Sequence, residues 1–241
     1  MAVKAMLFDL GDTLYTYDGL PLSWQGHYLD AWSDALTAVG LDPGAYNLRL
    51  AASHMEKFNT RLVAREREFD ADHIFGGALV TLGIDGGLRD GIVDAFFGHF
   101  RQSLRPYPET GDVLSTLRCR GIKTGALTDV AYGMPDRFVE DDLRQTGLLN
   151  LLDLWRTSVQ IGYRKPHPQG FLCLCKDLNV LPAEAAYVGN EEKDIVGAKN
   201  AGLRAVLIDR QSSGSRHWGQ DKTIADLSGC LDEDFVVTTD I

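Results

Sequence analysis

Asp9 and Asp12 stand at the end of one short apolar run, Thr128 and Asp129 at the end of a second, and Asn190, Glu191, Glu192 and Asp194 at the end of a third. Lys165 falls between the last two. A carboxylate such as Asp9 can attack phosphorus or carbon and hold the product covalently. A lysine keeps such a carboxylate ionised and offsets phosphate charge. A hydroxyl such as that of Thr128 can hydrogen-bond a transferring phosphoryl oxygen, and clustered carboxylates can hold Mg²⁺. If the fold gathers these side chains, they suit a covalent displacement on a small substrate.

The intervening elements indicate how they are gathered. Val3 to Leu10 is an apolar run ended by Gly and Asp, the signature of a buried strand in a parallel sheet. From Ser23 to Leu104 the pattern is helical. Trp24, Tyr28, Trp32, Leu36 and Val39 share one face, and Gly40 is a natural stop. Asp42-Pro43 reads as a cap followed by proline at the first helical position. Leu48, Ala51, Met55, Phe58 and Leu62 predict a second helix, Ile74 to Leu82 a third, and Ile92, Phe96 and Phe100 a fourth. Arg105-Pro106-Tyr107-Pro108 punctuates the chain. Beyond it, helices over Glu109 to Arg120, Phe171 to Leu178 and Asp194 to Ala201 alternate with strands over Ile122 to Leu127, Leu154 to Gln160, Ala185 to Val188 and Arg204 to Ile208. Such alternation predicts a doubly wound, Rossmann-like parallel sheet of the α/β class. The expected division is a core of residues 1–15 and 105–241, interrupted after its first strand by an all-helical insert, residues 16–104. In such sheets ligands bind beyond the carboxyl ends of the strands, where the reactive residues lie.

At this point the chain resembles a known family. FDLGDTL, LTDV, RKPHPQGF and YVGNEEKDIVGAKNAG look like the four ordered motifs of the haloacid dehalogenase superfamily, and the insert resembles that family's helical cap. Each motif alone is weak, but the four in order at successive strand ends are a strong signal. The resemblance implies that Asp9 is a nucleophile forming an aspartyl intermediate, that Thr128 orients the phosphoryl group, and that Lys165 stabilises both. It further implies a Mg²⁺ site formed by Asp9, the Gly11 carbonyl, Asn190 and Asp194, and a small phosphate monoester as substrate.

Two positions depart from that pattern. Phosphatases of the family usually carry a second aspartate two residues after the nucleophile, as general acid and base, and here that position is Gly11. Asp12 follows one residue later. Neighbours in an extended chain point to opposite sides, so Asp12 replaces the missing acid only if the chain turns sharply there, which Gly11 permits. Asp12 is equally suited to capping a helix. Asn190 stands where the fourth motif usually begins with aspartate, keeping an oxygen ligand but losing a negative charge. Glu191 or Glu192 can compensate, although both also suit the first turn of a helix. These departures keep two alternatives open: a metal-independent 2-haloacid dehalogenase, in which Asp9 attacks carbon, and a non-catalytic binding or regulatory protein. A phospho-accepting receiver domain fits worse, since receivers are shorter and lack the insert.

The remaining features are plainer. Arg61, Arg65 and Arg67 alternate with Glu66 and Glu68, which reads as a solvated helix face. The Trp24, Tyr28 and Trp32 stripe reads as core of the insert, with Trp24 or His27 as the residues to face a substrate. Asp129 reads as a loop residue, and the segment SSGSRHWGQ after Gln211 as a loop rather than a site. The net charge of −10 argues against nucleic acid as a partner. No apolar stretch is long enough to span a membrane. The N-terminus lacks the features of a signal peptide, and the four cysteines form no C-x-x-C pair, so a reducing, cytoplasmic setting is expected. The histidines show no zinc-ligand spacing, and no motif sets an oligomeric state.

Overall fold

The structure, a computed structural model, describes residues 3–21, 23–211, 214 and 216–232. Its centre is β1 (Ala5–Phe8), which is buried throughout. Alternation sends Met6 and Phe8 into an apolar cluster on one face of the sheet and Ala5 and Leu7 into another on the opposite face, as a strand covered on both sides requires. Next in the chain are β2 (Tyr15–Tyr17), α1 (Tyr28–Ala38), α2 (Leu48–Glu56), α3 (Ala71–Leu82), α4 (Arg89–His99), β3 (Leu104–Pro106), α5 (Thr110–Cys119), β4 (Lys123–Thr128), α6 (Asp136–Gln145), β5 (Leu154–Thr157), α7 (Ser158–Ile161), α8 (Gln169–Asp177), β6 (Ala185–Gly189), α9 (Glu192–Asn200), β7 (Arg204–Ile208) and β8 (Lys222–Ile224). Six strands form one sheet in the order β5-β4-β1-β6-β7-β8, and each pairing is parallel. The α/β class with a parallel sheet is therefore as the sequence predicts. β1 lies between β4 and β6, so the chain winds outward from it in both directions. The crevice at such a switch point is where an open α/β sheet binds ligands.

Helices α1 to α4 lie between β2 and β3, which pair antiparallel with Tyr15 opposite Pro106. The two chain crossings between sheet and helices thus run as one ribbon, an element the sequence reading missed. The four helices enclose an apolar cluster of their own around Trp24, Tyr28, Trp32, Phe75 and Phe96, which Tyr132 and Phe138 join from the sheet side. Among the described residues no helix is long and apolar enough to cross a membrane.

Some boundaries differ from expectation for local reasons. The helix expected to reach Leu62 ends at Glu56, and Leu62 is 51% exposed. Beyond it the Asn59 backbone carbonyl accepts the N–H groups of Leu62 and Val63 in a separate tight turn. Asp42 does cap, accepting the Gly44 N–H at 2.9 Å, but it opens only a single 3-10 turn over Pro43–Ala45. The strand expected through Gln160 stops at Thr157, which forms a capping box with Gln160 and starts α7. Such a box satisfies two helix-end donors at once and outweighs continued strand pairing. Helix α6 and strand β8 were not expected.

Candidate active site

Asp9 follows β1 directly, its N–H donating to the Val188 carbonyl at 2.9 Å and extending the ladder with β6. The chain then folds over: the Leu10 carbonyl accepts the N–H groups of Thr13, Leu14 and Tyr15. The residue that makes the sharp turn is Asp12 itself, at φ 55°, and not Gly11. Aspartate tolerates this left-handed region better than most residues. The Asp12 carboxylate accepts the Thr16 hydroxyl at 2.9 Å and adds its charge to the surroundings of Tyr107. At Gly11 a β-carbon would meet nothing within 4 Å.

Lys165 is buried and reaches the same point from the loop before α8. Its Nζ lies 2.7 Å from Asp9 Oδ1 and 2.6 Å from Asp194 Oδ1. It also donates at 3.1 Å to the hydroxyl of Tyr187, which donates in turn to the Leu127 carbonyl at 2.8 Å. Burial alone would lower the pKa of Lys165, but Asp194 and Asp9 hold it well above the ordinary lysine value. For Asp9 the balance goes the other way. Burial and the Asp194 charge outweigh Lys165 and push its pKa up to about 6.

Asp194 is fixed from its other oxygen. Oδ2 accepts the N–H groups of Asn190 and Glu191 at 3.1 and 2.9 Å, within the capping box that opens α9. Oδ1 makes no hydrogen bond of good geometry, so its contact with Lys165 is an ion pair rather than a directed bond. A side chain at Gly189 would collide with that of Asp194, which explains glycine at the end of β6. Asn190 Oδ1 accepts the Thr13 hydroxyl at 3.3 Å. Thr128 ends β4, nine-tenths buried. Burial would raise the pKa of Asp129, yet Arg164, Lys165 and Lys193 hold it below the ordinary carboxylate range.

Asp9, Gly11, Asp12, Thr128, Lys165 and Asn190 all line one cavity of about 1020 Å³, with Asp194 immediately behind Lys165. The opposite wall comes from the helical segment and includes Trp24, Phe58, Asn59, Arg61 and Phe100. Trp24 stacks on Phe100, ring centroids 3.9 Å apart, while His27 is not part of the lining. Arg61 reaches across to Glu191 at 3.4 Å. The solvated helix face expected for Arg61, Arg65 and Arg67 does not exist, because α2 ends before it. Arg65 instead turns inward and bonds the buried Glu68 at 2.9 Å.

Several participants escaped the sequence reading. Tyr187 was hidden in an apolar strand, and Lys193 and Arg164 lie within motifs whose other residues carried the argument. Ser212, Ser213 and Ser215 of the segment read as a loop lie outside the described residues. Arg216 of the same segment lines the cavity and donates to the Asn190 carbonyl at 3.3 Å.

The residues expected to hold a cation, Asp9, the Gly11 carbonyl, Asn190 and Asp194, would offer it oxygens only. Such a set suits a hard divalent ion. In the turn after Asp9 the bridge to Tyr15 is made by Leu10 and Asp12, which leaves the peptide groups of Gly11 out of it. Among the described residues no three acidic, histidine or cysteine side chains form a metal cluster by themselves. A cation would therefore also need carbonyl, amide or water oxygens.

Comparison with known proteins bears on the family of the chain. A family model described as a haloacid dehalogenase-like hydrolase matches residues 3–202. A glyceraldehyde 3-phosphate phosphatase of Methanopyrus kandleri is 31% identical over 213 residues, covering 86% of this chain and 84% of that protein. Among solved structures, a HAD phosphatase from Thermococcus onnurineus superposes with a TM-score of 0.60 at 26% identity, covering 94% of this chain and 95% of the other. A 2-haloacid dehalogenase from Pseudomonas syringae pv. Tomato superposes with a TM-score of 0.64 at 22% identity, covering 95% and 96%; that likeness is one of fold.

Proposed function

The chain belongs to the haloacid dehalogenase-like hydrolases, and from that premise we propose that it hydrolyses a small phosphate monoester through an aspartyl-phosphate on Asp9. The observation that carries this reading is the single Lys165 ammonium held between Asp9 and Asp194 at the switch point of the sheet. A carboxylate so placed is buried, oriented and partly neutralised before substrate arrives.

In the first step an Asp9 oxygen bonds to phosphorus as the bond to the leaving oxygen breaks. In the second, water attacks phosphorus, the bond to Asp9 breaks, and inorganic phosphate leaves. Thr128 donates its hydroxyl to a phosphoryl oxygen, and Lys165 offsets the charge on Asp9 and on the transferring group. The leaving oxygen needs a proton. Gly11 has none to give, and the Asp12 carboxylate, which accepts from Thr16, carries one only once protonated, so the proton comes from solvent and the attacking water returns one in the second step. Mg²⁺ would be held by Asp9, the Gly11 carbonyl, Asn190 and Asp194. When bound it would neutralise phosphoryl charge. Residues 16–104 act as a cap on a core of residues 1–15 and 105–241, and the cap side of the cavity selects the substrate. Four free cysteines support a reducing, cytoplasmic setting.

The neutral Asn190 favours one second reading, a metal-independent 2-haloacid dehalogenase. Turnover of p-nitrophenyl phosphate with and without EDTA separates the two. Activity lost in EDTA and restored by Mg²⁺ is expected. Undiminished turnover in EDTA would overturn the metal-assisted mechanism, and chloride release from chloroacetate would favour the dehalogenase.

A further inference from the structure

The side chain of Glu68 is 1% exposed, although it belongs to the segment between α2 and α3 and not to the sheet. A carboxylate is almost never buried so fully unless it is paired. Here Oε2 accepts the Ser158 hydroxyl at 2.6 Å and an N–H of Arg164, while Oε1 accepts Arg65 and the Phe69 N–H at 2.9 and 3.1 Å. The backbones join as well. Glu68 N–H donates to the Gly162 carbonyl at 3.0 Å, and Arg164 N–H to the Glu66 carbonyl at 2.7 Å, forming an antiparallel bridge between Arg67 and Tyr163. A third contact lies alongside: Gly133 has φ +64°, and a side chain there would run into the backbone at Phe69 and Asp70.

What Glu68 holds is the immediate support of the reactive residues. Arg164 precedes Lys165. Its guanidinium donates to the Val130 carbonyl at 2.7 Å and lies 3.8 Å from Asp129. Asp129 in turn accepts the N–H of Lys165 at 3.1 Å, and Ser158 accepts the N–H of Val130 at 3.1 Å. One carboxylate from the helical segment therefore sits where the loop after Thr128 meets the loop carrying Lys165. From this we infer that Glu68 is a positioning residue for the hydrolytic site, anchoring Arg164 and, through it, the backbone that presents Lys165 toward Asp9. The inference rests on the roles proposed for Asp9 and Lys165.

Full-length Glu68→Gln, Glu68→Asp, Asp9→Asn and the double variant Glu68→Gln/Arg164→Met are assayed on p-nitrophenyl phosphate with Mg²⁺, below their melting temperatures. Folding is checked by near-ultraviolet circular dichroism. A displaced Lys165 predicts that Glu68→Gln lowers kcat about tenfold or more with KM within about twofold, and that Glu68→Asp recovers part of the loss. If Glu68→Gln fails to fold, the double variant decides, because it removes both buried charges together. Positioning predicts a folded double variant whose kcat stays low. A kcat at the wild-type level in folded Glu68→Gln, or in the double variant, would overturn the inference and leave Glu68 a structural ion-pair partner. Asp9→Asn separates the two claims. If it keeps wild-type turnover, the nucleophile reading fails; if it is dead while folded Glu68→Gln is fully active, the positioning inference fails alone.

Discussion

Asp9 can act as a nucleophile only when ionised, and its burial opposes that, raising its pKa from 3.8 to about 6. With Mg²⁺ present, kcat/KM should therefore have an acid limb, falling at low pH and levelling off above it. A bound divalent cation favours the carboxylate and should set that limb below about pH 6, and lower at saturating than at limiting Mg²⁺, which pH profiles at the two concentrations would show. The same shift has a consequence for stability. A carboxyl whose folded pKa is raised stabilises the fold fully below its ordinary pKa and loses that contribution as pH rises through the folded value. Asp9→Asn should thus raise the melting temperature at pH 7–8, by an amount equivalent to roughly 1–3 kcal/mol, with the gap closing toward pH 4. Gly11 offers a complementary test. Its conformation is not left-handed and the space beside it is open, so Gly11→Asp should fold and place an acid near the leaving oxygen. Turnover of an alkyl phosphate should rise about tenfold or more, and p-nitrophenyl phosphate, whose leaving group needs little protonation, should respond less. The residues at strand ends were legible because strand ends converge on one crevice. Glu68, Tyr187 and Arg164 were not, because their importance comes from neighbours far away in the chain. The turn at Asp12 was half legible: a sharp turn was the condition for Asp12 to replace the missing acid, and the chain does turn, but at Asp12 and not at Gly11.

Among the elements, the junction of β6 with α9 is the most constrained. Gly189 leaves room for Asp194, whose Oδ2 caps the helix while Oδ1 faces Lys165. Gly189→Ala should displace Asp194, destabilise the fold by about 1–3 kcal/mol and lower kcat, read by chemical denaturation and steady-state rates. The segment leading into α3 is held by a buried charge pair, and Glu68→Gln should destabilise by about 3–5 kcal/mol, because Arg164 keeps its charge without its main partner. The strand β7 was legible to the residue, since a buried parallel strand is a short apolar run between breakers. The end of α2 was not. Phe58 and Leu62 continue the helical spacing, yet the helix ends at Glu56, and Asn59 bonds the Arg61 N–H and the Tyr28 hydroxyl instead. The ribbon of β2 and β3 was equally hidden, its strands being only three residues long and far apart in sequence.

Taken as a whole, the molecule carries a net charge of −10, and its cavity sets Arg61, Lys165, Lys193 and Arg216 among acids that include Asp9, Asp129 and Glu191. The helical segment meets the sheet through the β2–β3 ribbon, the bridge of Arg67 to Tyr163 and the close approach at Gly133. Amide exchange at Glu68 and Arg164 should therefore be as slow as in the helices, whereas the exposed residues 61–64 should exchange quickly. The parallel sheet and the helical run were legible from periodicity alone. The docking of one upon the other was not, because it depends on single buried groups rather than on a pattern. In the proposed mechanism everything turns on Asp9 performing the displacement. Its most direct test is kcat/KM for p-nitrophenyl phosphate with Mg²⁺ in wild type and in folded Asp9→Asn. A nucleophilic Asp9 predicts a loss of about a thousandfold or more, and wild-type turnover by the variant would rule that role out.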